Sequence, residues 1–209
     1  STDPTAGSAY DNYQAMVAAG VAGAETIGGV LYFTNAFNSK TTGIDLVASY
    51  PLEWNNGQST ALQFAINYNK SELTSDASEF LNPESQFDFS NADPNTRWNL
   101  TANHSFSDSV SMMLRGRYYG TSANSDNTSP YLAIQHFGST FFLDLDLSYQ
   151  VNDNWRVSVG GRNILDKYPD MTDKVASDND QCCGRDYVSG SLVPWMGGYL
   201  YARVSLSYQ

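Results

Sequence analysis

Basic residues are scarce in this chain: 11 Lys and Arg stand against 22 Asp and Glu, a net charge of −11. Phosphate backbones are gripped by basic surfaces, so nucleic acid is not an expected partner. Charged residues of either sign reach only 16%, below the roughly 25% of ordinary soluble domains. No apolar run reaches the ~18 residues of a transmembrane helix. Cysteine is confined to the adjacent pair Cys182-Cys183, which offers no metal-type spacing. The opening STDPTAGSAYDNYQ is polar and begins without Met; it is no signal peptide, which for an exported protein predicts a mature chain or a fragment. Serine elbow, Gly-rich phosphate loop and HExxH motif are all missing, so no catalytic residue, metal or cofactor is predicted and the chain is read as no enzyme.

What the chain does have is aromatic residues, 13% with 14 Tyr, and many short runs that alternate by twos. The clearest is the end, Gly197–Gln209, where Leu200, Ala202, Val204, Leu206 and Tyr208 share one face and Tyr199, Tyr201, Arg203, Ser205 and Ser207 the other. Its length suits a tilted membrane-crossing strand of roughly 9–11 residues. Alternation alone fits two environments. In a soluble sandwich the apolar face looks inward; in an outer-membrane barrel it meets lipid and the polar face lines the lumen.

The connections separate the two. Residues 1–29 read as part of a surface loop in which 11–25 can form a short, Gly-weakened helix. Seven strands are then predicted, at about 30–52, 58–72, 95–107, 109–120, 137–151, 154–165 and 197–209. Between them EWNNGQ, SDS and NDN are tight turns, Asn56-Gly57 being a strong hairpin signal. The other connections, about 72–95, 120–137 and 166–196, are long and polar. Short and long alternate strictly, as in bacterial outer-membrane barrels with short periplasmic turns and long extracellular loops. The predicted fold is therefore an all-β transmembrane antiparallel barrel, with residues 30–209 as barrel strands and the last strand descending to a periplasmic C-terminus. An odd strand count leaves edges that lipid does not tolerate. Another polypeptide segment is expected to complete the barrel.

Three segments resemble the C-terminal barrel region of TonB-dependent outer-membrane receptors. They are Phe33–Leu52, with Asn35 ahead of Gly43-Ile44-Asp45-Leu46; Asn154–Asp170, with Gly160, Asn163-Ile164-Leu165-Asp166 and Pro169; and the closing strand with Tyr201-Ala202-Arg203-Val204. The resemblance covers about Val30–Gln209. It implies a barrel of about 22 strands with a plugged lumen, of which this chain supplies roughly the last seven. It also implies energised uptake of a scarce ligand of the siderophore, haem, cobalamin or oligosaccharide class. The implied partners are the remaining N-terminal barrel and plug, TonB with its inner-membrane complex, and the lipid and lipopolysaccharide of a Gram-negative outer membrane. Neither plug nor TonB box is recognisable in the chain. The family's closing register is completed if one more residue, Phe, follows Gln209. The alternative is a passive, porin-like or structural barrel segment; a soluble β-sandwich binding module is the third class.

Within that frame Arg115, Arg117, Asp144, Asp146, Arg156, Arg162 and Arg203 take the lumenal parity, as candidates for contact with plug or ligand. Counting back from the NDN turn sets Asp144 opposite Arg162, a cross-strand ion pair that fixes register or, alternatively, a substrate gate. Tyr50, Trp54, Tyr68, Trp98, Tyr149, Trp155 and Tyr208 take the outward parity and are read as interface-anchoring aromatics, with ligand stacking as the alternative. His104 should point outward near the short-turn rim, and His136 falls in a loop. In the longest loop Cys182 and Cys183 can bond to each other or to another segment. Asp170, Asp173, Asp178, Asp180 and Asp186 in the same loop are read as solvated, with calcium binding as the alternative.

Overall fold

The computed structural model describes residues 9–27, 36–128, 131–172, 186–188 and 191–207. Helix α1 (Ala9–Ala18) and a 3-10 turn (Ala24–Thr26) come first. Strands β1 (Ser39–Glu53) and β2 (Ser59–Leu73) follow, then helix α2 (Pro83–Asn91). Next come β3 (Thr96–Ser105), β4 (Val110–Tyr119), β5 (Ser122–Thr128) and β6 (Tyr131–Phe137). The chain ends on β7 (Thr140–Gln150), β8 (Trp155–Arg162) and β9 (Tyr199–Leu206). Seven strands form one antiparallel meander in the order β1-β2-β3-β4-β7-β8-β9, and β5-β6 is a separate hairpin.

Local chemistry sets each short turn. Gly57 adopts φ 81°, a left-handed conformation that costs a Cβ-bearing residue, and its N–H donates to Trp54 O at 3.0 Å. At the next turn Ser107 Oγ accepts from the Val110 N–H at 3.2 Å. At the third, Asn152 Oδ1 accepts from the N–H groups of Asn154 and Trp155, both at 3.0 Å. Side chains that cap their own backbone two or three residues on are what make such turns tight. Each turn then dictates register: Val151 N–H donates to Trp155 O, and β7 and β8 pair from Gln150↔Arg156 to Leu145↔Gly161.

The register stacks side chains of like character. One face carries the rung Leu46, Ile66, Trp98, Tyr118 and Phe141; Trp98 stacks on Tyr118 at 5.4 Å and 12°. That face is bare: Ile44 is 71% and Leu200 84% exposed. A soluble sandwich needs a second layer over such a face, and among the described residues none covers it. The outer edges of β1 and β9 likewise have no neighbouring strand among the described residues. The sheet is a partial β-barrel, one sector of a wall.

Four differences from the sequence reading concern the ends and the loops. β1 begins at Ser39 rather than near residue 30; its partner β2 stops at Leu73 opposite Ser39, and before it only Asn38 is tied on, its O accepting from the Thr74 N–H (2.9 Å) and its N–H donating to Ser75 Oγ (2.8 Å). The polar stretch 72–95 holds α2, capped by Asn82, whose Oδ1 accepts from the Ser85 N–H at 2.7 Å, with Pro at the first turn. The stretch 120–137 holds the β5-β6 hairpin. β5 has no apolar alternation to announce it. Cross-strand backbone bonds and its docking on α2 hold it instead: Asp88 Oδ1 accepts from the Ser125 N–H (2.8 Å) and Oγ (2.9 Å), and Oδ2 from Asn124 Nδ2 (3.0 Å). The expected helix near 11–25 is α1 with the 3-10 turn, shorter because Gly20 and Gly23 take positive φ.

Candidate functional site

The candidate site is the polar face of the seven-stranded sheet. Its centre is Asp144 on β7, 0% exposed and ringed by donors. Arg117 on β4 grips it with Nε to Oδ2 (3.1 Å) and Nη2 to Oδ1 (3.0 Å). Arg162 on β8 donates through Nη1 to Oδ2 at 3.0 Å. The Asn163 N–H donates to Oδ1 at 3.0 Å. A bidentate guanidinium, a second guanidinium and a backbone amide satisfy the carboxylate, as a buried charge requires. Phe142 beside it is also 0% exposed, covered by the Arg117 guanidinium at 5.2 Å and the edge of Tyr119.

The turn count had brought Arg162 opposite Asp144. It had not brought Arg117, whose direct neighbour across the ladder is Phe142. Arg117 reaches Asp144 diagonally, within the range of a long side chain on an antiparallel pair. Arg115, directly opposite Asp144, turns away and donates from Nε to Thr101 Oγ1 at 3.2 Å.

Asp146 belongs to a second cluster. Tyr201 on β9 donates its hydroxyl to Asp146 Oδ2 at 2.7 Å, across the whole of β8. The rung is Asp146, Gly160, Tyr201, and a Cβ on Gly160 would stand 2.6 Å from the Tyr201 ring and 2.7 Å from Leu145 O. Missing side-chain volume at Gly160 is what lets the ring lie flat over the middle strand. Arg203 packs on the same ring at 5.6 Å, and Arg156 donates from Nε to Gln150 Oε1 at 3.0 Å.

A third network escaped the sequence reading. Arg97 Nη2 donates to Asn67 Oδ1 (3.1 Å), and Asn67 Nδ2 donates to Asp45 Oδ1 (2.7 Å), along a single rung. Shared parity was its only signal. Among the described residues, two hollows on this face stand out. One, about 530 Å³, is lined by residues including Asp45, Asn67, Arg97, Arg115 and Arg117; the other, about 410 Å³, by residues including Asp146, Arg156, Arg162, Tyr201 and Arg203.

The G-x-x-N-I-L-D segment that closes β8 is a structural corner. Asn163 is 3% exposed with φ 49°. Its side chain accepts from the Lys167 N–H (3.0 Å) and donates to Lys167 O (2.7 Å). Asp166, also at positive φ, accepts from the Gly198 N–H at 2.8 Å and so ties the corner to the approach of β9. The Tyr168 hydroxyl donates to the same carboxylate, which holds the phenol pKa above its ordinary value by favouring the neutral, donating form. Asn163→Ala removes two part-buried hydrogen bonds and strains the backbone. It should cost about 2–3 kcal/mol and expose the segment after residue 163 to limited proteolysis; an unchanged cleavage pattern would contradict this.

Tyr50, Tyr68, Trp98, Tyr149 and Trp155 lie on the apolar parity, near the ends of their strands, and Trp54 lies in the first turn. Trp54 Nε1 donates to Thr60 Oγ1 (2.9 Å), which is 2.8 Å from His104 Nδ1. In the loops, Asp170 Oδ2 accepts from the Gly138 N–H at 2.6 Å, and Asp186 lends its backbone oxygen to the Thr172 N–H. Among the described residues no group of three His, Cys, Asp or Glu is placed to hold a metal. Cys182, Cys183, Asp173, Asp178, Asp180 and Tyr208 lie outside the described residues.

Meander topology, turns that cap themselves, a bare apolar face and an Arg/Asp-rich polar face together define a sector of a transmembrane β-barrel. The family model described as TonB dependent receptor-like, beta-barrel, matches residues 7–164. The chain belongs to that family, one of outer-membrane receptors and transporters rather than enzymes. No curated protein sequence matches the chain. The family match ends within the Asn163 corner, and β9 joins the matched region through its ladder with β8, Trp155↔Leu206 to Arg162↔Tyr199.

Proposed function

We propose that this chain is the C-terminal sector of the barrel of a receptor that takes up a scarce ligand across the outer membrane, energised through TonB. One observation carries the reading: a family-matched sheet whose two faces differ so sharply. Its apolar face meets lipid and lipopolysaccharide, anchored by Tyr50, Trp54, Tyr68, Trp98, Tyr149 and Trp155. Its polar face lines the lumen against a plug supplied by another segment. The tight turns lie in the periplasm and the long connections outside. There the docking of α2 on β5 and of Asp170 on Gly138 makes the outer loops one packed layer.

The proposed ligand is of the siderophore, haem, cobalamin or oligosaccharide class. The test is uptake of one labelled member of each class by cells producing the full receptor, with and without TonB. Receptor-dependent accumulation that vanishes without TonB is the expected result. Equal passage of small solutes with and without TonB would mark a passive porin-like barrel instead.

A further inference from the structure

The seven arginines of this acidic chain are not scattered. Six of them, Arg97, Arg115, Arg117, Arg156, Arg162 and Arg203, take the polar parity of the sheet, where they meet only Asp45, Glu53, Asp144 and Asp146. Arg117 and Arg162 are spent on one carboxylate, Asp144. The other four have neutral partners: Asn67 for Arg97, Thr101 for Arg115, Gln150 for Arg156 and the Tyr201 ring for Arg203. Among the described residues no carboxylate lies within ion-pair distance of any of these four. Asp45 and Asp146 accept instead from neutral donors, Asn67, Tyr201 and Ser148, and the face as a whole sets six guanidiniums against four carboxylates.

Their order along the wall matters as much as their number. Arg97 stands on the rung with Asp45 and Asn67 near the long-loop end, and Arg115 on the rung of Gln63, Thr101 and Asp144. Arg203 is paired with Ser158, and Arg156 with Ser205, two and three steps nearer the short turns. Successive same-face positions on a strand are about 7 Å apart. Guanidiniums therefore recur along the full height of the face, through both of its hollows. A chain that merely needed solubility would place such charges on the loops; a binding spot would need one cluster.

We propose that this face is a track for an anionic ligand, one carrying carboxylate or phosphate groups, and that Arg115, Arg156 and Arg203 supply its uncompensated charge. Low-dielectric walls focus the field of like charges into the cleft they line and raise the local concentration of the opposite ion. A neutral ligand gains nothing from such a wall. The inference rests on the reading of the polar face as lumenal and names the class of substrate for the same path.

The test is ion selectivity of the full receptor in planar bilayers, its lumen opened with urea, with chloride as probe across an asymmetric KCl gradient. Compared with the unmodified receptor, the Arg115→Gln, Arg156→Gln, Arg203→Gln triple variant should lose anion-over-potassium selectivity several-fold. The corresponding triple Lys variant should keep it, because charge and not fork geometry is the claim. Equal reversal potentials for the unmodified and Gln receptors overturn the proposal, and so does loss of selectivity in the Lys variant. A Gln variant that leaks before urea is added also overturns it, by assigning the arginines to holding the lumen-filling segment. Heat-modifiable migration in gels confirms that each variant has folded. The current is read without TonB, so its outcome is separate from that of the uptake experiment.

Discussion

Asp144→Asn should be among the most damaging single changes in the sheet, lowering stability by about 3 kcal/mol. The amide matches the carboxylate in size but not in capacity. The aspartate accepts four hydrogen bonds, from Arg117 twice, Arg162 and the Asn163 N–H. An asparagine offers one acceptor oxygen and turns an N–H₂ towards a guanidinium that can only donate. Two cations are then left facing each other in a site whose anion was wholly buried. The figure falls at the low end of the ~3–5 kcal/mol for a broken buried pair, because the Arg117 and Arg162 side chains remain 25% and 32% exposed. The measurement is the guanidinium midpoint of tryptophan fluorescence for the full receptor in detergent. A loss under about 1 kcal/mol would place Asp144 among ordinary surface ion pairs. Combining Asp144→Asn with Arg162→Gln should recover part of the loss, since the second change removes one of the two stranded charges.

Gly160→Val should cost about 2–4 kcal/mol, from overpacking and one lost hydrogen bond. Even a Cβ would sit 2.7 Å from the Leu145 carbonyl oxygen, which is backbone and cannot swing aside, and 2.6 Å from the Tyr201 ring. Tyr201 must leave, and its 2.7 Å hydrogen bond to Asp146 goes with it. β9 then keeps its backbone ladder to β8 but loses its side-chain tie to β7. Tyr201→Phe separates the two contributions: it keeps the ring over Gly160 and loses only the hydroxyl, for about 1 kcal/mol. Unfolding midpoints of the two variants should therefore differ clearly. Should they coincide, the crossing ring would be ornamental and the hydroxyl would carry the contact.

These two expectations come from parts of the molecule that the sequence exposes to different degrees. The Asp144–Arg162 pair is legible because Asn152 fixes a tight turn, and a tight turn fixes every pair above it by counting. The same logic makes all seven strands of the sheet readable, each carrying apolar residues at every second position and all but β9 meeting a self-capping turn. Arg117 is not legible. Its strand reaches β7 through residues 120–139, and no rule of loop length sets the register of strands so joined. Its contact is moreover diagonal. Tyr201 reaching Asp146 is harder still, because it spans three strands and depends on an atom that Gly160 lacks.

In the loops the balance reverses. Helix α2 carries local signals, Asn82 at its cap and Pro83 at its first position, within a stretch whose polarity hides them. Strand β5, SANSDNT, carries none. Backbone pairing with β6 and the Asp88 carboxylate hold it, so only the assembled loops give it a conformation.

By itself, the sequence determined an antiparallel wall with an apolar and a polar face, because side-chain period and turn chemistry are local properties of a strand. Only the tertiary structure decided that Arg117 shares Asp144 with Arg162 while Arg115, directly opposite that carboxylate, does not, because the long connection between β4 and β7 sets that register. The Asp144 cluster and the uncompensated guanidiniums beside it are two results of that one arrangement.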